Sequence, residues 1–254
     1  MPFIEISDLQ IVFSGDAGDF QAIETVDFSV EKGEFVAIVG PSGCGKSSLL
    51  NAIAGLVPYT GTIRVDGNIA GGDTRQFGYM FQEGSLLPWR TAADNARIGL
   101  DIRGVNRIEG DARVDELMRR VGLVEFKSSY PSQLSGGMKK RLTFVQIMAF
   151  DPNILLMDEP FGALDFQTRL QVELDLLREV ERTGKTVLFV THDIDEAIEL
   201  SDRIIVMTGR PGKIKSQHQV HLPRPRALVE NRGKPEFVEL RQRIWEQLKH
   251  DMAG

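Results

Sequence analysis

The chain has 254 residues, a formal net charge of -6 at pH 7, and 42% hydrophobic residues. This length and composition allow one large domain, or a core with a small subdomain. The acidic balance argues against a non-specific nucleic-acid binder, whose affinity depends on Lys and Arg that neutralise phosphates. No stretch approaches the roughly 20 apolar residues of a membrane-spanning helix, and the N-terminus lacks the pattern of a signal peptide. We therefore expect a chain that neither crosses a membrane nor is secreted.

The first third of the chain predicts a β-rich region followed by the start of an α/β core. Residues 3–30 alternate apolar and polar side chains in short pieces, which predicts antiparallel strands. Residues 35–39 have the pattern of a short buried strand, and residues 47–54, which lack Gly and Pro, predict a helix. A further hairpin is expected within residues 58–72, which are rich in Gly and β-branched side chains.

The rest of the chain predicts a helical insertion and then a return to alternating strands and helices. Apolar residues at helical spacing make residues 82–150 mostly helical. From residue 153 onward, strands alternate with helices, which predicts a parallel sheet covered on both faces. The predicted strands are 154–157, 186–190 and 204–207, and the predicted helices are 166–183, one reaching Ala197, and 235–249.

Residues 40–47 read Gly-Pro-Ser-Gly-Cys-Gly-Lys-Ser, which is the P-loop pattern G-x-x-x-x-G-K-[ST]. The segment lies between a predicted strand and a predicted helix, as this motif requires. Its glycines let backbone N–H groups turn toward phosphate oxygens, and the helix N-terminus adds a partial positive charge. We expect Lys46 to reach the β- and γ-phosphates of a nucleoside triphosphate and the Ser47 hydroxyl to ligate magnesium.

The single cysteine, Cys44, lies inside this motif and has no partner for an internal disulfide. We interpret it as a small filling residue in a chain from a reducing compartment such as the cytoplasm. Its thiol could still be alkylated, because a helix N-terminus lowers the pKa of a thiol.

Two carboxylates, Asp158 and Glu159, follow the predicted strand at 154–157. A strand end beside the P-loop would bring Asp158 near the magnesium ion, and Glu159 could polarise a water for in-line attack on the γ-phosphate. Taken alone, an acidic pair at this position could also be a helix cap.

Three other segments each have a structural alternative. Ser135, with the N–H groups of Gly136 and Gly137, begins a predicted helix and could form a second phosphate-binding helix start, although Ser-Gly-Gly also occurs in turns. Gln82 follows a strand-like segment and could reach the magnesium ion or the water, although lone glutamines usually lie on surfaces. His192 follows another predicted strand and could hydrogen-bond the γ-phosphate, although a lone histidine is more often structural.

The order and spacing of these segments resemble the nucleotide-binding subunit of an ABC transporter, from residue 3 to about residue 223. Residues 81–89, the Ser-Gly-Gly segment ending in Met138, and residues 207–212 resemble the importer group for nitrate, sulfonate and taurine. The resemblance implies an α/β P-loop NTPase core with a parallel sheet, an N-terminal antiparallel β-subdomain and a helical subdomain insertion. The implied division is an ATPase domain at 1–223, with its helical subdomain at about 83–150, and a C-terminal helical extension at 224–254.

The resemblance also implies ATP and Mg²⁺ as cofactors and assigns residues to them. The catalytic residues would be Glu159 as base, His192 as switch histidine, Gln82 and Lys46. The ATP-binding residues would be Gly40, Pro41, Ser42, Gly43, Cys44, Gly45, Lys46, Ser47, Ser48 and Phe13. Phe20 is the alternative to Phe13 for stacking on adenine, and either ring could belong to the core instead. The Mg²⁺ ligands would be Ser47, Gln82 and Asp158. The signature would be Leu134, Ser135, Gly136, Gly137 and Met138, and the D-loop residue Asp165.

The implied assembly is a head-to-tail homodimer in which the signature of one copy faces the P-loop of the other. Such a dimer would lie on the cytoplasmic face of the membrane, bound to permease subunits and served indirectly by a solute-binding protein. Leu86, Leu87 and Trp89, which we expect to be exposed, could contact the permease, or form a small core under a loop. The alternative function is a soluble ABC-type ATPase acting on nucleic acid or the ribosome. We expect no nucleic-acid partner, because the chain lacks the long coiled coil or tandem nucleotide domains typical of that class.

Overall fold

In the computed structural model, which describes residues 2–15, 18–70, 76–82, 84–162 and 164–249, ten strands form one mixed sheet. In chain order the strands are β1 (Ile4–Gly15), β2 (Gly18–Val30), β3 (Phe35–Val39), β4 (Thr60–Val65), β5 (Asn68–Ile69), β6 (Phe77–Met80), β7 (Ile154–Asp158), β8 (Thr186–Val190), β9 (Arg203–Met207) and β10 (Gly212–Gln219). Their order across the sheet is β5-β4-β1-β2-β10-β9-β3-β8-β7-β6.

The strands from β9 to β6 form a parallel core. Strands β3, β7 and β8 are buried at every residue, as expected when both faces of a parallel sheet are covered. Within β3, Phe35 and Val39 face one hydrophobic cluster, and Val36 and Ile38 face the other. The parallel sheet predicted from the apolar runs is therefore confirmed.

The N-terminal part is antiparallel, also as predicted: β1 pairs with β2 and β4, and β4 pairs with β5. The hairpin expected within residues 58–72 is confirmed as β4 and β5, although residues 71–75 lie outside the described ranges. Strand β10 was not predicted. It pairs antiparallel with β9 and parallel with β2, so it joins the antiparallel part to the parallel core.

Helices cover the two faces of the sheet. They are α1 (Lys46–Ile53), α2 (Ala92–Ile102), α3 (Arg107–Arg120), α4 (Gly136–Ala149), α5 (Phe166–Thr183), α6 (Ile194–Leu200), α7 (Leu228–Asn231) and α8 (Pro235–Lys249). Helices α2 to α4 form the predicted helical insertion, together with short 3-10 helices at Val124–Phe126 and Pro131–Gln133. Helix α5 begins after an Asp165 cap and ends at Gly184, whose φ of 63° is the left-handed conformation that glycine favours at a helix end.

The C-terminal segment packs against the rest of the chain. Phe237, Ile244 and Leu248 of α8 are buried in the larger hydrophobic cluster. Arg232, just after α7, binds both carboxylate oxygens of buried Glu199, at 2.6 and 3.0 Å. Within the described ranges, no helix combines the length and apolar character needed to cross a membrane.

Candidate functional site

The P-loop connects β3 to α1 and is packed tightly against backbone from two neighbouring elements. Gly45 has a φ of 96°, and a Cβ atom there would lie 2.9 Å from the carbonyl oxygen of Ala22 in β2. On the other side, a Cβ atom at Gly212, the first residue of β10, would lie 2.0 Å from the carbonyl oxygen of Cys44. The loop conformation therefore depends on glycines both inside the motif and outside it.

The side chains of Lys46 and Cys44 turn inward. The Nζ atom of Lys46 donates to the carbonyl oxygens of Gly40 and Pro41, each at 2.9 Å. This holds an ammonium group within the curve of the loop. The Cys44 side chain is fully buried, and burial raises the pKa of its thiol. The expectation that the helix N-terminus lowers the pKa of this thiol is therefore wrong, because the effect of burial is larger.

Asp158 ends β7 beside the P-loop and carries a buried oxygen with no partner. Its side chain is buried, and its Oδ1 atom has no hydrogen-bond partner among the described residues. Burial raises the pKa of Asp158, and the neighbouring Glu159 raises it further, whereas a hydrogen bond with the Ser47 side chain and the charge of Lys46 lower it. A buried carboxylate oxygen of this kind, close to a hydroxyl group, suits a hard cation such as Mg²⁺.

Glu159 lies at the centre of a cluster of polar side chains. Its φ of 44° is a left-handed conformation that is rare for a residue with a side chain. Its N–H donates to the carbonyl oxygen of Val190 at 2.9 Å. Its Oε2 atom accepts from Nε2 of Gln82 at 3.1 Å and lies 3.2 Å from Nδ1 of His192. These side chains come from the ends of three adjacent strands, where sites form in open α/β sheets.

A cleft of about 650 Å³ contains this cluster and the outer face of the P-loop. Its lining residues are Phe20, Ala22, Ser42, Gly43, Gly45, Lys46, Ser47, Ser48, Gln82, Glu159, His192 and Arg210. Asp158 is not among them, but it hydrogen-bonds with the side chain of Ser47, which lines the cleft. The predicted residues Gly40, Pro41 and Cys44 belong to the loop but do not line the cleft.

The two aromatic candidates lie opposite each other on β1 and β2, where Phe13 pairs with Phe20. Phe13 is half-buried against the hydrophobic cluster beneath the antiparallel strands, whereas Phe20 is exposed and lines the cleft. The geometry thus favours the alternative, Phe20, over the first choice, Phe13. Directly paired residues share one face of a sheet, so strand order explains the difference: β2, which carries Phe20, lies next to β10, whereas Phe13 is on β1, one strand further away.

The predicted signature lies away from the cleft of the same chain. Ser135 caps α4 and accepts from the N–H of Met138 at 3.3 Å. Ser135 and Gly136 are exposed, whereas Leu134 is buried and Gly137 packs against Thr168 of α5. Asp165 caps α5, and hydrogen bonds from Thr168 hold the pKa of its carboxyl below the ordinary value. The exposed start of α4 therefore faces outward.

Among the described residues that line the cleft, Arg210 has the one charged side chain not predicted to belong to the site. It lies in the turn between β9 and β10, within the segment 207–212 that resembles the importer group. The parallel pairing of β9 with β3, in which Val206 lies opposite Val39, brings the start of this turn beside the P-loop, and the pairing of β10 with β2 holds its other end. The sequence predicts β3 and β9 but not which strands are neighbours, so no local pattern indicated the contact.

Comparison with known proteins agrees with the fold and the cleft. The family described as ABC transporter matches residues 23–162. The chain is 40% identical to the aliphatic sulfonates import ATP-binding protein SsuB of Bacillus cereus, over 97% of this chain and 96% of the relative. It is also 40% identical to the taurine import ATP-binding protein TauB of Rhizobium johnstonii (95% and 94% covered) and to the nitrate import ATP-binding protein NrtD of Synechocystis (95% and 93% covered).

Among solved structures, the fold matches an ATP-binding cassette in a dimeric, post-hydrolysis state bound to ADP and phosphate. The TM-score is 0.77 at 29% identity, and the match covers 87% of this chain and 100% of that chain. The α/β P-loop NTPase fold predicted from the sequence is confirmed. On the family match and on relatives that are similar over almost their whole length, this chain belongs to the ABC transporter family and is an ATP-binding cassette of that family.

Proposed function

We propose that this protein is the ATP-hydrolysing subunit of an ABC importer for a small anion such as nitrate, a sulfonate or taurine. The observation that carries the proposal is the convergence of Gln82, Glu159 and His192 on a P-loop cleft. The solute is suggested by the names of the relatives, which are import proteins for sulfonates, taurine and nitrate. Solute selection itself would belong to the membrane partners.

The cleft supplies groups for each part of ATP. The N–H groups and hydroxyls of residues 42–48, with Lys46, would bind the phosphates. Phe20 would stack on adenine at the outer end of the cleft, which its exposure and position support. Phe13 would instead support the hairpin from the core side.

Ser47, Asp158 and Gln82 would hold Mg²⁺ together with the phosphates. The buried, unpartnered Oδ1 of Asp158 supports this assignment, because a single carboxylate with neutral oxygen ligands and substrate phosphates is a usual magnesium environment. When bound, the ion would offset negative charge on the β- and γ-phosphates.

Glu159 would act as general base for the attacking water. Among the described residues, both of its side-chain contacts use Oε2, which leaves Oε1 to accept a proton from the water. Gln82 and His192 would hold the carboxylate in position. General-base catalysis of this kind contributes roughly 10²- to 10⁴-fold in rate.

The proposed assembly is a homodimer in which Ser135 to Met138 of one copy complete the ATP site of the other, with Asp165 nearby. The outward-facing start of α4 and the dimeric cassette among the solved structures support this arrangement. Within each copy we propose an ATPase domain at 1–223, with its helical subdomain at about 83–150, and an extension at 224–254. The dimer would bind permease subunits at the cytoplasmic membrane face, with a solute-binding protein outside.

The contact with the permease would involve Trp89, which is 71% exposed near Gln82. Leu86 and Leu87 were expected to be exposed as well, but both are half-buried, and Leu86 packs against the larger hydrophobic cluster. Co-expression with the permease subunits of neighbouring reading frames tests this part. The Trp89→Ala variant should lose co-purification, whereas Trp245→Ala, at an exposed tryptophan of α8, should retain it.

The catalytic proposal is tested with Glu159→Gln, which keeps the shape of the side chain and removes the base. Phosphate release from Mg-ATP should fall at least about 100-fold, while ATP binding measured by calorimetry persists. Glu125→Gln, at an exposed glutamate that does not line the cleft, is the matched control and should keep wild-type turnover. Unchanged phosphate release in Glu159→Gln would remove Glu159 from this role.

A further inference from the structure

The side chain of Arg210 reaches into the cleft from the turn at residues 207–212, outside the segments assigned above to nucleotide binding. Its Nε atom donates to the carbonyl oxygen of Gly43 at 2.9 Å, and its Cζ atom lies 5.8 Å from the centre of the Phe20 ring. A Cβ atom at Gly43 would lie 2.0 Å from Nη2, so the guanidinium group lies directly on the glycine backbone. Arg210 therefore lies between the P-loop and the ring proposed for adenine.

The fold fixes the turn that carries Arg210. Two residues later, Gly212 contacts the carbonyl oxygen of Cys44 so closely that no side chain fits between them. Gly212 also pairs with Ile23 of β2, three residues from Phe20. The turn is thus attached to the P-loop on one side and to the hairpin bearing Phe20 on the other.

The guanidinium group of Arg210 has N–H donors that its contact with Gly43 does not use. Among the described residues, its two terminal nitrogens have no hydrogen-bond or ion-pair partner. The Glu159 carboxylate in the same cleft already contacts Gln82 and His192. Arginine stays protonated at neutral pH and recognises phosphate through its planar set of donors.

We propose that Arg210 is a nucleotide-binding residue that contacts the phosphate nearest the ribose. This inference rests on the proposed ATP site. If the P-loop holds the phosphates and Phe20 holds the base, the ribose and its attached phosphate lie between them, which is where the guanidinium group lies. ATP and ADP share that phosphate, so Arg210 contributes equally to the binding of both.

The test measures the Kd of Mg-ATP and Mg-ADP by calorimetry for wild type and three variants. Arg210→Ala should weaken both nucleotides by about tenfold, equivalent to about 1.4 kcal/mol. Arg210→Lys keeps the charge but loses the planar donors, so its loss should be smaller. Arg178→Ala removes the same charge from an exposed position on α5, with its side chain 70% exposed, and should bind as wild type does.

In turnover, Arg210→Ala should raise KM and leave kcat unchanged, as expected when ground state and transition state lose the same contact.

Salt dependence separates an ionic contact from a structural effect. Between about 0.05 and 0.5 M salt, screening should narrow the difference in Kd between wild type and Arg210→Ala. If the alanine variant melts at a lower temperature than wild type, Arg210→Gln replaces it in all measurements. Nucleotide affinities within twofold of wild type, or a loss confined to ATP, would overturn the role of Arg210. Failure of the wild-type protein to bind ATP would instead overturn the proposed function.

Discussion

Individual glycines determine whether the P-loop can keep its shape. Gly45 needs both its left-handed φ and the absence of a side chain, because β2 backbone lies against it. Gly212 is in ordinary backbone space but meets the Cys44 carbonyl oxygen at the same loop. The motif alone identifies Gly45. Gly212 lies more than 160 residues after the P-loop in the chain, so its contact with the loop is visible only in the folded structure.

Replacing Gly212 with alanine should disturb the P-loop directly. The new methyl group would lie 2.0 Å from a backbone oxygen that cannot move without shifting the loop. Overpacking of this kind costs about 1–3 kcal/mol in the free energy of unfolding, and the ATP affinity should fall with it. Denaturant unfolding and calorimetry measure the two effects. Gly233→Ala, where no atom lies within 4 Å of the added carbon, is the control and should change stability by less than about 0.5 kcal/mol. Equal stabilities for the two variants would contradict this explanation.

Cys44 should be unreactive in the folded protein. Its thiol is fully buried, and burial raises its pKa, so both access and the thiolate fraction are low. Labelling with a maleimide, followed by mass spectrometry, should give little product in native buffer and complete modification in denaturant. Rapid, complete labelling of the native protein would show that the loop opens.

Residue roles differed in how far the sequence could predict them. The positions of Lys46, Ser47, Asp158 and Glu159 beside one another were predictable, because each adjoins a strand or helix end and the neighbouring strands are strongly apolar; their roles stay predictions. The choice between Phe13 and Phe20 was not predictable, because it depends on which strand of the hairpin lies next to β10, and local sequence does not encode strand order.

At the scale of elements, helices α5 and α6 meet through a cluster of buried charged side chains. Glu173 is 2% exposed, and its Oε1 atom has no hydrogen-bond partner among the described residues. Burial, together with the nearby Glu196 and Glu199, raises the pKa of Glu173 to about 8 against the opposing charges of Arg169 and Arg232. The carboxyl group is therefore mostly protonated in the folded protein at neutral pH.

This protonation makes stability depend on pH. Because the folded pKa lies above the ordinary 4.5, the folded chain binds more protons than the unfolded chain between about pH 4.5 and 8. The contribution of Glu173 to the free energy of unfolding should fall as pH rises through that range. Glu173→Gln imitates the protonated form. Between about pH 6 and 8, its free energy of unfolding should fall less than that of wild type, by up to about 2 kcal/mol. Urea unfolding at the two pH values measures the difference, with Glu125→Gln as the exposed control. Parallel pH profiles for Glu173→Gln and wild type would contradict the shifted pKa.

Strongly patterned elements were predictable and weakly patterned ones were not. Helices α5 and α8 and strands β3 and β8 were predicted at their observed bounds, because each carries a clear apolar run or stripe. Strand β10 alternates half-buried Ile214, Ser216 and His218 with exposed polar residues, so no apolar pattern marks it. Its stability as a strand comes from pairing with β9 and β2, which local sequence does not encode.

At the scale of the molecule, the groups proposed to act on one ATP are divided between two places. The cleft holds the P-loop, Glu159 and His192, while the exposed Ser135 and Gly136 begin α4 elsewhere on the surface. If both places act on one phosphate, a single copy is incomplete. A dimer should therefore depend on ATP and persist when hydrolysis is blocked.

Sedimentation of Glu159→Gln tests this dependence. With Mg-ATP the variant should sediment as a dimer, and with Mg-ADP or without nucleotide as a monomer. Adding Ser135→Arg, which places a bulky side chain at the start of α4, should prevent the dimer while ATP binding to the monomer persists. A dimer that is equally stable without nucleotide would contradict the predicted dependence of dimerisation on ATP.

The most direct measurement is a crystal structure of Glu159→Gln grown with Mg-ATP. We expect two copies related head to tail, with the terminal phosphate contacted by Lys46 of one copy and by the Ser135 hydroxyl of the other within hydrogen-bond distance, about 3 Å. ATP bound by one copy alone, with Ser135 of every neighbouring copy facing solvent, would contradict the shared site.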